Sequence, residues 1–141
     1  MSDLSDLLAL AEAAAAEAGA ALLANRVGWS VIEAEEGREV KIDADRRAEA
    51  LILDAISRGS SYPIISEEAG WVRAQRDGER FVWAIDPLDG SVNYLRGYPH
   101  CAVSIALLDA GEPVLGVVDC FALAERFSGA AVLRQGEEPA R

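Results

Sequence analysis

The sequence predicts an α+β fold, with two helices packed on an antiparallel sheet of five or six strands. Two observations predict it. Helix-forming segments with apolar faces occupy the first part of the chain, and short apolar runs separated by turn residues occupy the rest. With 141 residues, 51% of them hydrophobic, the chain can bury the core of one domain, and neither repeats nor a linker divide it.

The first helix is predicted to run from a cap at Ser2 and Asp3 to about Leu23. An alanine-rich run within it supplies strong helix formers. Gly28 ends the helical pattern, and residues 29–34 are predicted to form a strand.

The second helix is predicted over residues 44–57, capped by Asp43 and closed by Gly59. Asp45 and Glu49 are four positions apart and so lie on one face of this helix, close to its apolar stripe. Such carboxylates either pair with a neighbouring arginine, stay in water or serve a functional site. The helix pattern alone leaves these alternatives open.

Short apolar runs predict the remaining strands, and polar or turn-rich segments separate them. Residues 33–39 read as a charged loop, either a solvated hairpin or a functional segment, 69–80 as a polar excursion and 94–99 as a loop. The strands that follow the second helix are predicted at 64–66, 81–85, 102–108, 114–118, 125–127 and 130–133.

The most informative stretch is residues 81–93, Phe-Val-Trp-Ala-Ile-Asp-Pro-Leu-Asp-Gly-Ser-Val-Asn. Its apolar strand ends abruptly, and the turn residues that follow leave the carboxylates of Asp86 and Asp89 at the end of a buried strand. Backbone N–H groups near Gly90 are able to face an anion. The alternative interpretation is an ordinary strand followed by a Pro-x-Asp-Gly turn.

A second apolar run, residues 64–66, also ends in acids, Glu67 and Glu68. Two adjacent strands would therefore bring Glu67, Asp86 and Asp89 to one edge of the sheet. Three hard oxygen ligands with no soft ligand nearby suit Mg²⁺ or Mn²⁺ better than zinc. The two segments together predict a divalent metal site.

Ser-Glu-Glu at 66–68, followed by Trp-Ala-Ile-Asp-Pro-Leu-Asp-Gly-Ser-Val-Asn-Tyr at 83–94, resembles the inositol monophosphatase family. The motif is also similar to the archaeal-type fructose-1,6-bisphosphatases of the same lithium-sensitive, metal-dependent phosphatase superfamily. The resemblance runs from the first helix to Arg141 and corresponds to the family's N-terminal α+β domain. It implies that the C-terminal α/β domain, with a further metal-binding Asp and most substrate-selecting groups, is absent from residues 1–141.

The resemblance implies a set of metal ligands. Glu67, Asp86 and the backbone carbonyl of Leu88 would hold one Mg²⁺, with Mn²⁺ as a possible substitute. Asp86 and Asp89 would hold a second ion. Two ions of this kind bind both the attacking and the leaving oxygen in phosphoryl transfer.

The resemblance also implies the catalytic and phosphate-binding groups. Asp45 would orient the hydroxyl of Ser91, and Ser91 with Glu67 would position the metal-activated water that attacks phosphorus. Backbone amides of Gly90 and Ser91 would cradle the phosphate. The chain departs from the family locally, because Val-Lys-Ile-Asp at 40–43 replaces the common Val-Thr.

Charge and composition limit the partners. The net charge is −11 and the sequence pI about 4.4, which argues against nucleic acid and against an anionic membrane surface. No apolar stretch has the bulk expected of a membrane span. Cys101 and Cys120 have no metal-binding or redox spacing, Arg96 reads as a surface residue and His100 as a structural one. We therefore expect a cytoplasmic protein.

The expected function is Mg²⁺-dependent hydrolysis of inositol monophosphate or a related small sugar phosphate. The alternatives are a fructose-1,6-bisphosphatase, a truncated metal- and phosphate-binding module without turnover, and a plain interaction domain. The expected partner is a small phosphorylated metabolite. A homo-oligomer such as a dimer is expected as well, because the face that would meet a second domain should be exposed and apolar.

Overall fold

The structure, a computed structural model, describes residues 3–37 and 39–131. Its helices are α1 (Leu4–Ala24), α2 (Asp43–Gly59) and the short α3 (Ser91–Leu95), with a 3₁₀ turn at Phe121–Leu123. Its strands are β1 (Ile32–Glu36), β2 (Glu39–Ile42), β3 (Ile64–Ser66), β4 (Gly70–Arg73), β5 (Phe81–Asp89), β6 (Ala102–Asp109), β7 (Glu112–Cys120) and β8 (Glu125–Ala130).

Six strands form one sheet in the order β4-β3-β5-β6-β7-β8. This confirms the predicted α+β class and the size of the sheet. One pairing differs from the predicted antiparallel pattern, since β3 and β5 are parallel, with Ser66 opposite Ile85. Parallel strands end at the same edge, so this pairing places the acids that follow β3 beside those at the end of β5.

The core lies between one face of this sheet and the helices α1 and α2. Trp83 and Ile105 are fully or almost fully buried there, and the Trp83 indole N–H donates to Ser60 Oγ at 2.9 Å. Helix α2 ends at Gly59, as predicted, with Gly59 as its last residue and Ser60 as the C-cap. A Cβ atom at this position would lie 2.9 Å from Leu10 Cδ1, so close packing of α1 against α2 is what the glycine serves.

Helix α1 follows its prediction. Asp3 caps it by accepting the Asp6 N–H at 2.9 Å, whereas the proposed second cap, Ser2, lies outside the described residues. By length and composition alone, α1 is apolar enough to cross a membrane, which the sequence analysis did not expect. One side of α1, including Leu7 and Leu22, is buried in the core, as in the core helix of a folded domain.

The start of α2 differs from its prediction. Asp43 is not the cap but belongs to the first turn, where its carboxylate accepts from Arg46 and Arg47 at 2.5 and 2.6 Å. Asp45 instead reaches back and accepts the Ile42 N–H at 2.8 Å. Of the two acids in this first turn, Asp43 therefore faces the arginines and Asp45 faces the interior.

The segment before α2 is a hairpin. The strand predicted at 29–34 is displaced, since β1 begins at Ile32. Residues 33–39 belong to a hairpin, one of the interpretations predicted for them, in which β1 pairs with β2 across a turn at Gly37, whose φ is 61°. All five residues of β1 are exposed, whereas β2 ends at the fully buried Ile42. Exposure explains the displacement of β1, because a strand without a buried face gives a weak sequence pattern.

Two further segments differ from the predictions. The polar excursion 69–80 contains β4, which pairs with β3 at the edge of the sheet. A single strand, β8, runs through Ser128 and Gly129, where two strands were predicted, and Gly129 pairs with Gly116. The end of the second predicted strand, 132–133, lies outside the described residues.

Candidate functional site

The ends of β3 and β5 bring two predicted site residues together. The Glu67 N–H donates to the Ile85 carbonyl at 3.0 Å, which extends the parallel ladder by one residue. The next position of β5 is Asp86, so Glu67 and Asp86 follow the last paired residues of two parallel strands, and Glu67 acts on the pKa of Asp86. Asp89 also acts electrostatically on Asp86 from the end of the same strand.

The clustering of these acids changes the proton affinity of Asp86. Burial, first, and then the neighbouring Glu67 and Asp89 carboxylates raise the pKa of Asp86 to about 7. A carboxyl is shifted this far when its anion has neither enough water nor a cation nearby. In this environment a divalent cation would relieve the repulsion, so the charge distribution favours a cation site.

The strand β5 is distorted between Asp86 and Asp89, where the register to β6 shifts. The distortion leads into Gly90, which has a φ of 87°. A Cβ atom there would lie 2.7 Å from the His100 carbonyl oxygen. Both the left-handed backbone and the close approach require glycine, and α3 begins at the next residue.

Ser91, the first residue of α3, is held by α2. Its hydroxyl donates to Asp45 Oδ1 at 2.6 Å, while the other carboxylate oxygen of Asp45 accepts the Ile42 N–H. A longer contact of 3.4 Å joins Ser91 Oγ to the Leu88 carbonyl. Burial has the largest effect on the Asp45 carboxyl and raises its pKa. The hydrogen bonds from Ile42 and Ser91 act in the opposite direction. The predicted pairing of Asp45 with Ser91 is therefore present as a direct contact.

A cavity of about 440 Å³ lies over these residues. Its wall combines carboxylates from the ends of β3 and β5, the start of α3 and the hairpin strand β2. All of the predicted metal ligands and both phosphate-binding residues line it. The lining residues are Val40, Lys41, Glu67, Glu68, Asp86, Leu88, Asp89, Gly90, Ser91, Val92 and Asn93.

The donor set fits a hard divalent cation in its chemistry, since it offers carboxylates and a carbonyl and no thiolate or imidazole. The adjacent Glu67 and Asp86 carboxyls also fit, because no lysine or arginine of the described residues forms an ion pair with either of them. Among residues 3–37 and 39–131, however, no three His, Cys, Asp or Glu side chains already surround one point as metal ligands do. The metal ligand set thus stays a prediction.

A second network supports the acids after β3. Ser66 Oγ donates to Glu49 Oε2 at 2.5 Å and accepts the Glu68 N–H at 3.3 Å. Glu49 is half-buried and its side-chain hydrogen-bond partner is Ser66 rather than an arginine, which was one of the alternatives left open by the helix pattern. Instead it links α2 to the strand end that carries Glu67. Only its helical spacing from Asp45 signalled this role in the sequence.

Sequence reasoning missed Arg26, which follows α1. Its guanidinium donates to the carbonyls of Tyr94 and Asn93, both at 3.0 Å, and to that of Tyr98. It also lies over the Tyr94 ring, 5.1 Å from the centroid. Arg26 thus fixes the C-terminal end of α3, the turn that begins with Ser91. A lone arginine in a polar segment gives no sequence signal for such a contact.

An Arg26→Met variant is expected to destabilise the fold by about 2 kcal/mol, since three hydrogen bonds from a charged donor, two of them part-buried, are lost together. Urea unfolding measures this. Arg96→Met is the matched control, because Arg96 is exposed on the same turn and its loss should cost less than about 0.5 kcal/mol. Equal stabilities of the two variants would contradict the role given to Arg26.

The histidine and the two cysteines singled out in the sequence lie apart from the chemistry. His100 is exposed, and its contribution is the backbone carbonyl that accepts from Asn93 Nδ2 at 2.8 Å. Cys101 is buried and Cys120 half-buried, and both are free thiols. Neither cysteine lines the cavity.

Comparison with known proteins matches the chain to one family and to several of its relatives. The sequence profile described as "Inositol monophosphatase family" matches residues 3–137. The inositol-1-monophosphatase of Synechocystis is 41% identical over 122 residues, which are 83% of this chain and 41% of that protein. The Nus factor SuhB of Xylella fastidiosa is 46% identical over 77 residues, 54% of this chain and 26% of that protein.

Solved structures agree. The inositol monophosphatase from Anabaena superposes with a TM-score of 0.74 at 35% identity, covering 92% of this chain and 45% of that one. The chain therefore spans less than half the length of these relatives.

Proposed function

The chain belongs to the inositol monophosphatase family, and on that premise we propose that it hydrolyses a small phosphate monoester, with inositol monophosphate as the first candidate and Mg²⁺ as the cofactor. The observation that carries the proposal is the meeting of Glu67 and Asp86 at one sheet edge, in a cavity that is also lined by Ser91, whose hydroxyl donates to Asp45 behind the wall. Acids and a positioned hydroxyl in one cavity suit phosphoryl transfer to water.

The residues would divide the work as follows. Glu67, Asp86, Asp89 and the Leu88 carbonyl would hold the metal. Divalent ions bound there would offset the negative charge of the phosphate and make water a better nucleophile.

The remaining groups would contact water and phosphate directly. Asp45 accepts the hydrogen bond that the Ser91 hydroxyl donates. A lone pair of Ser91 Oγ is therefore free to accept a hydrogen bond from water. The N–H groups at Gly90 and Ser91, at the start of α3, would bind phosphate oxygens.

Activity of the 141-residue chain tests the proposal. Phosphate release from inositol 1-phosphate and from fructose 1,6-bisphosphate is measured with Mg²⁺ and with EDTA. We expect Mg²⁺-dependent release, faster with inositol 1-phosphate. Faster release from fructose 1,6-bisphosphate would favour the alternative substrate, and no release from either would exclude turnover by this chain.

A binding module without turnover is the second candidate. It is favoured by the absence of a complete three-ligand metal group among the described residues, 3–37 and 39–131. This candidate predicts binding of Mg²⁺ and inorganic phosphate with no hydrolysis. Calorimetric titration with both, beside the release assay, separates the two functions.

The Asp45–Ser91 pair gives a specific prediction. Ser91→Ala is expected to lower kcat about a hundredfold, the lower range for a positioned proton-transfer group, with little change in KM. Ser91→Thr keeps the hydroxyl and is the matched control, expected to retain most of the rate. A fully active Ser91→Ala variant would mean that the pair is structural.

The proposed setting is the cytoplasm, with a small phosphorylated metabolite as partner. A homo-oligomer is proposed as well. The sheet face opposite the helices carries exposed apolar side chains, among them Phe127 at 61% and Val118 at 38% exposure. Exposed apolar surface of this kind favours association.

A further inference from the structure

The cavity over the acids contains one positive charge that has no role in the proposed function. Four carboxylates line it, those of Glu67, Glu68, Asp86 and Asp89. Of the described residues in its wall, Lys41 alone is cationic. The family resemblance gives this lysine no role, since it lies in the segment where the sequence departs from the common pattern.

Lys41 has a defined partner. Its Nζ lies 3.6 Å from Glu68 Oε2, and the two side chains are 56% and 21% exposed. The ammonium comes from β2, and the carboxylate comes from the residue after Glu67. The contact therefore joins the hairpin to the strand end that carries the predicted metal ligands.

The consecutive acids Glu67 and Glu68 face different neighbours. The carboxyl of Glu67 meets Asp86, as the parallel ladder requires. The backbone of Glu68 is anchored by Ser66 Oγ, and its carboxylate faces Lys41. Both acids lie in the turn that follows β3, and both line the cavity. Glu68 therefore has a cationic partner, whereas Glu67 has no ion pair among the described residues.

We propose that Lys41 provides a built-in positive charge in this cavity. Its ammonium forms an ion pair with Glu68 and contributes positive charge to the binding of phosphate. With Glu68 engaged, divalent ions bind at Glu67, Asp86 and Asp89. The half-exposed ammonium is able to turn from Glu68 towards a phosphate oxygen, since a lysine side chain is flexible and offers three donors. The proposal rests on the proposed function for the identity of the anion, but not for the pairing of Lys41 with Glu68.

The proposal requires two effects of opposite sign. Removing the ammonium frees Glu68 and removes a positive charge, so divalent ions should bind more tightly. The same change removes a donor to phosphate, so the anion should bind more weakly. A residue that only supported the fold would weaken both together.

The test titrates the 141-residue chain and its variants with Mn²⁺, and then with inorganic phosphate at saturating Mn²⁺. For Lys41→Met we expect about fivefold tighter Mn²⁺ binding, from loss of a like charge at a solvated distance. We also expect about tenfold weaker phosphate binding, the size of one hydrogen bond from a charged donor.

Three further variants complete the experiment. Lys41→Arg should restore both affinities to within about twofold, since it keeps the charge. Arg58→Met is the matched control, because it removes one exposed positive charge from the far end of α2, where Arg58 pairs with Glu17 and Asp54. In the double variant Lys41→Met/Glu68→Gln, the gain in Mn²⁺ affinity should disappear.

Unchanged Mn²⁺ and phosphate affinities in Lys41→Met would overturn the proposal. So would equal changes in Arg58→Met, or two changes of the same sign. If the unaltered chain binds Mn²⁺ but no phosphate, the proposed function and the phosphate role of Lys41 both fail, while the Mn²⁺ gain still decides the Lys41–Glu68 pairing. If it binds neither ion, the whole proposal is overturned.

Discussion

An Asp86→Asn variant is expected to lose Mg²⁺-dependent phosphate release by on the order of a thousandfold, the upper range for removal of one electrostatic group from a site. The same variant should be more stable than the unaltered chain when metal is absent and the pH is above 7. Both effects have one cause. The Asp86 carboxylate is held beside Glu67 and Asp89, which favours a bound cation and disfavours the empty, ionised state.

The sign of the stability effect follows from the pKa of Asp86, which is raised from 3.8 to about 7 in the folded chain. A folded state that holds the proton more tightly is favoured at low pH. That stabilisation is complete below about pH 4 and is lost as the pH rises to about 7. After allowance for solvent screening, the loss is on the order of 1–2 kcal/mol.

Urea unfolding of the metal-free chain between pH 4 and pH 8 measures this loss. The Asp86→Asn variant should show much less of it. Asp54→Asn is the matched control, because Asp54 is an exposed acid on α2. A variant that kept full Mg²⁺-dependent release, or a pH dependence equal to that of the unaltered chain, would contradict the role of Asp86.

A Gly90→Ala variant is expected to destabilise the chain by about 3 kcal/mol. A methyl group there would lie 2.7 Å from the His100 carbonyl oxygen, and the φ of 87° is unfavourable for any residue with a Cβ. Since α3 starts at Ser91, relief of the clash would also displace the Ser91 hydroxyl from Asp45. Phosphate binding should therefore fall along with stability.

Gly111 separates the two causes. Its φ of 86° is almost the same, but nothing lies within 4 Å of a Cβ placed on it. Gly111→Ala should cost about 1 kcal/mol, which is the backbone contribution alone. If Gly90→Ala cost no more than Gly111→Ala, the close approach of β5 to residue His100 would not constrain the site.

Much of the candidate site could be predicted because its signals are local. The apolar run into Asp86 and the turn residues after it fix where the strand ends, and a second run ends the same way at Glu67. The sequence could not show that β3 and β5 are parallel, although that pairing brings the two ends together. Strand pairing depends on the whole sheet and leaves no mark on a short run.

The residues that were missed act through contacts distant in sequence. Arg26 reaches carbonyls more than 65 positions away, and the Glu49–Ser66 bond joins a helix to a strand. Lys41 stood out only as a departure from a family pattern. The exposed strand β1 was misplaced for a related reason, since it has no buried face to impose alternation.

The most direct test of the account is a calorimetric titration of the metal-free chain with Mg²⁺ at pH 7 and pH 9, each in two buffers of different ionisation enthalpy. Binding is expected at both pH values. At pH 7 about half a proton should be released per bound ion, because Asp86, with a pKa of about 7, must be ionised to bind metal. At pH 9 almost no proton release is expected. Absence of binding, or binding with the same proton release at both pH values, would contradict a metal site at Asp86.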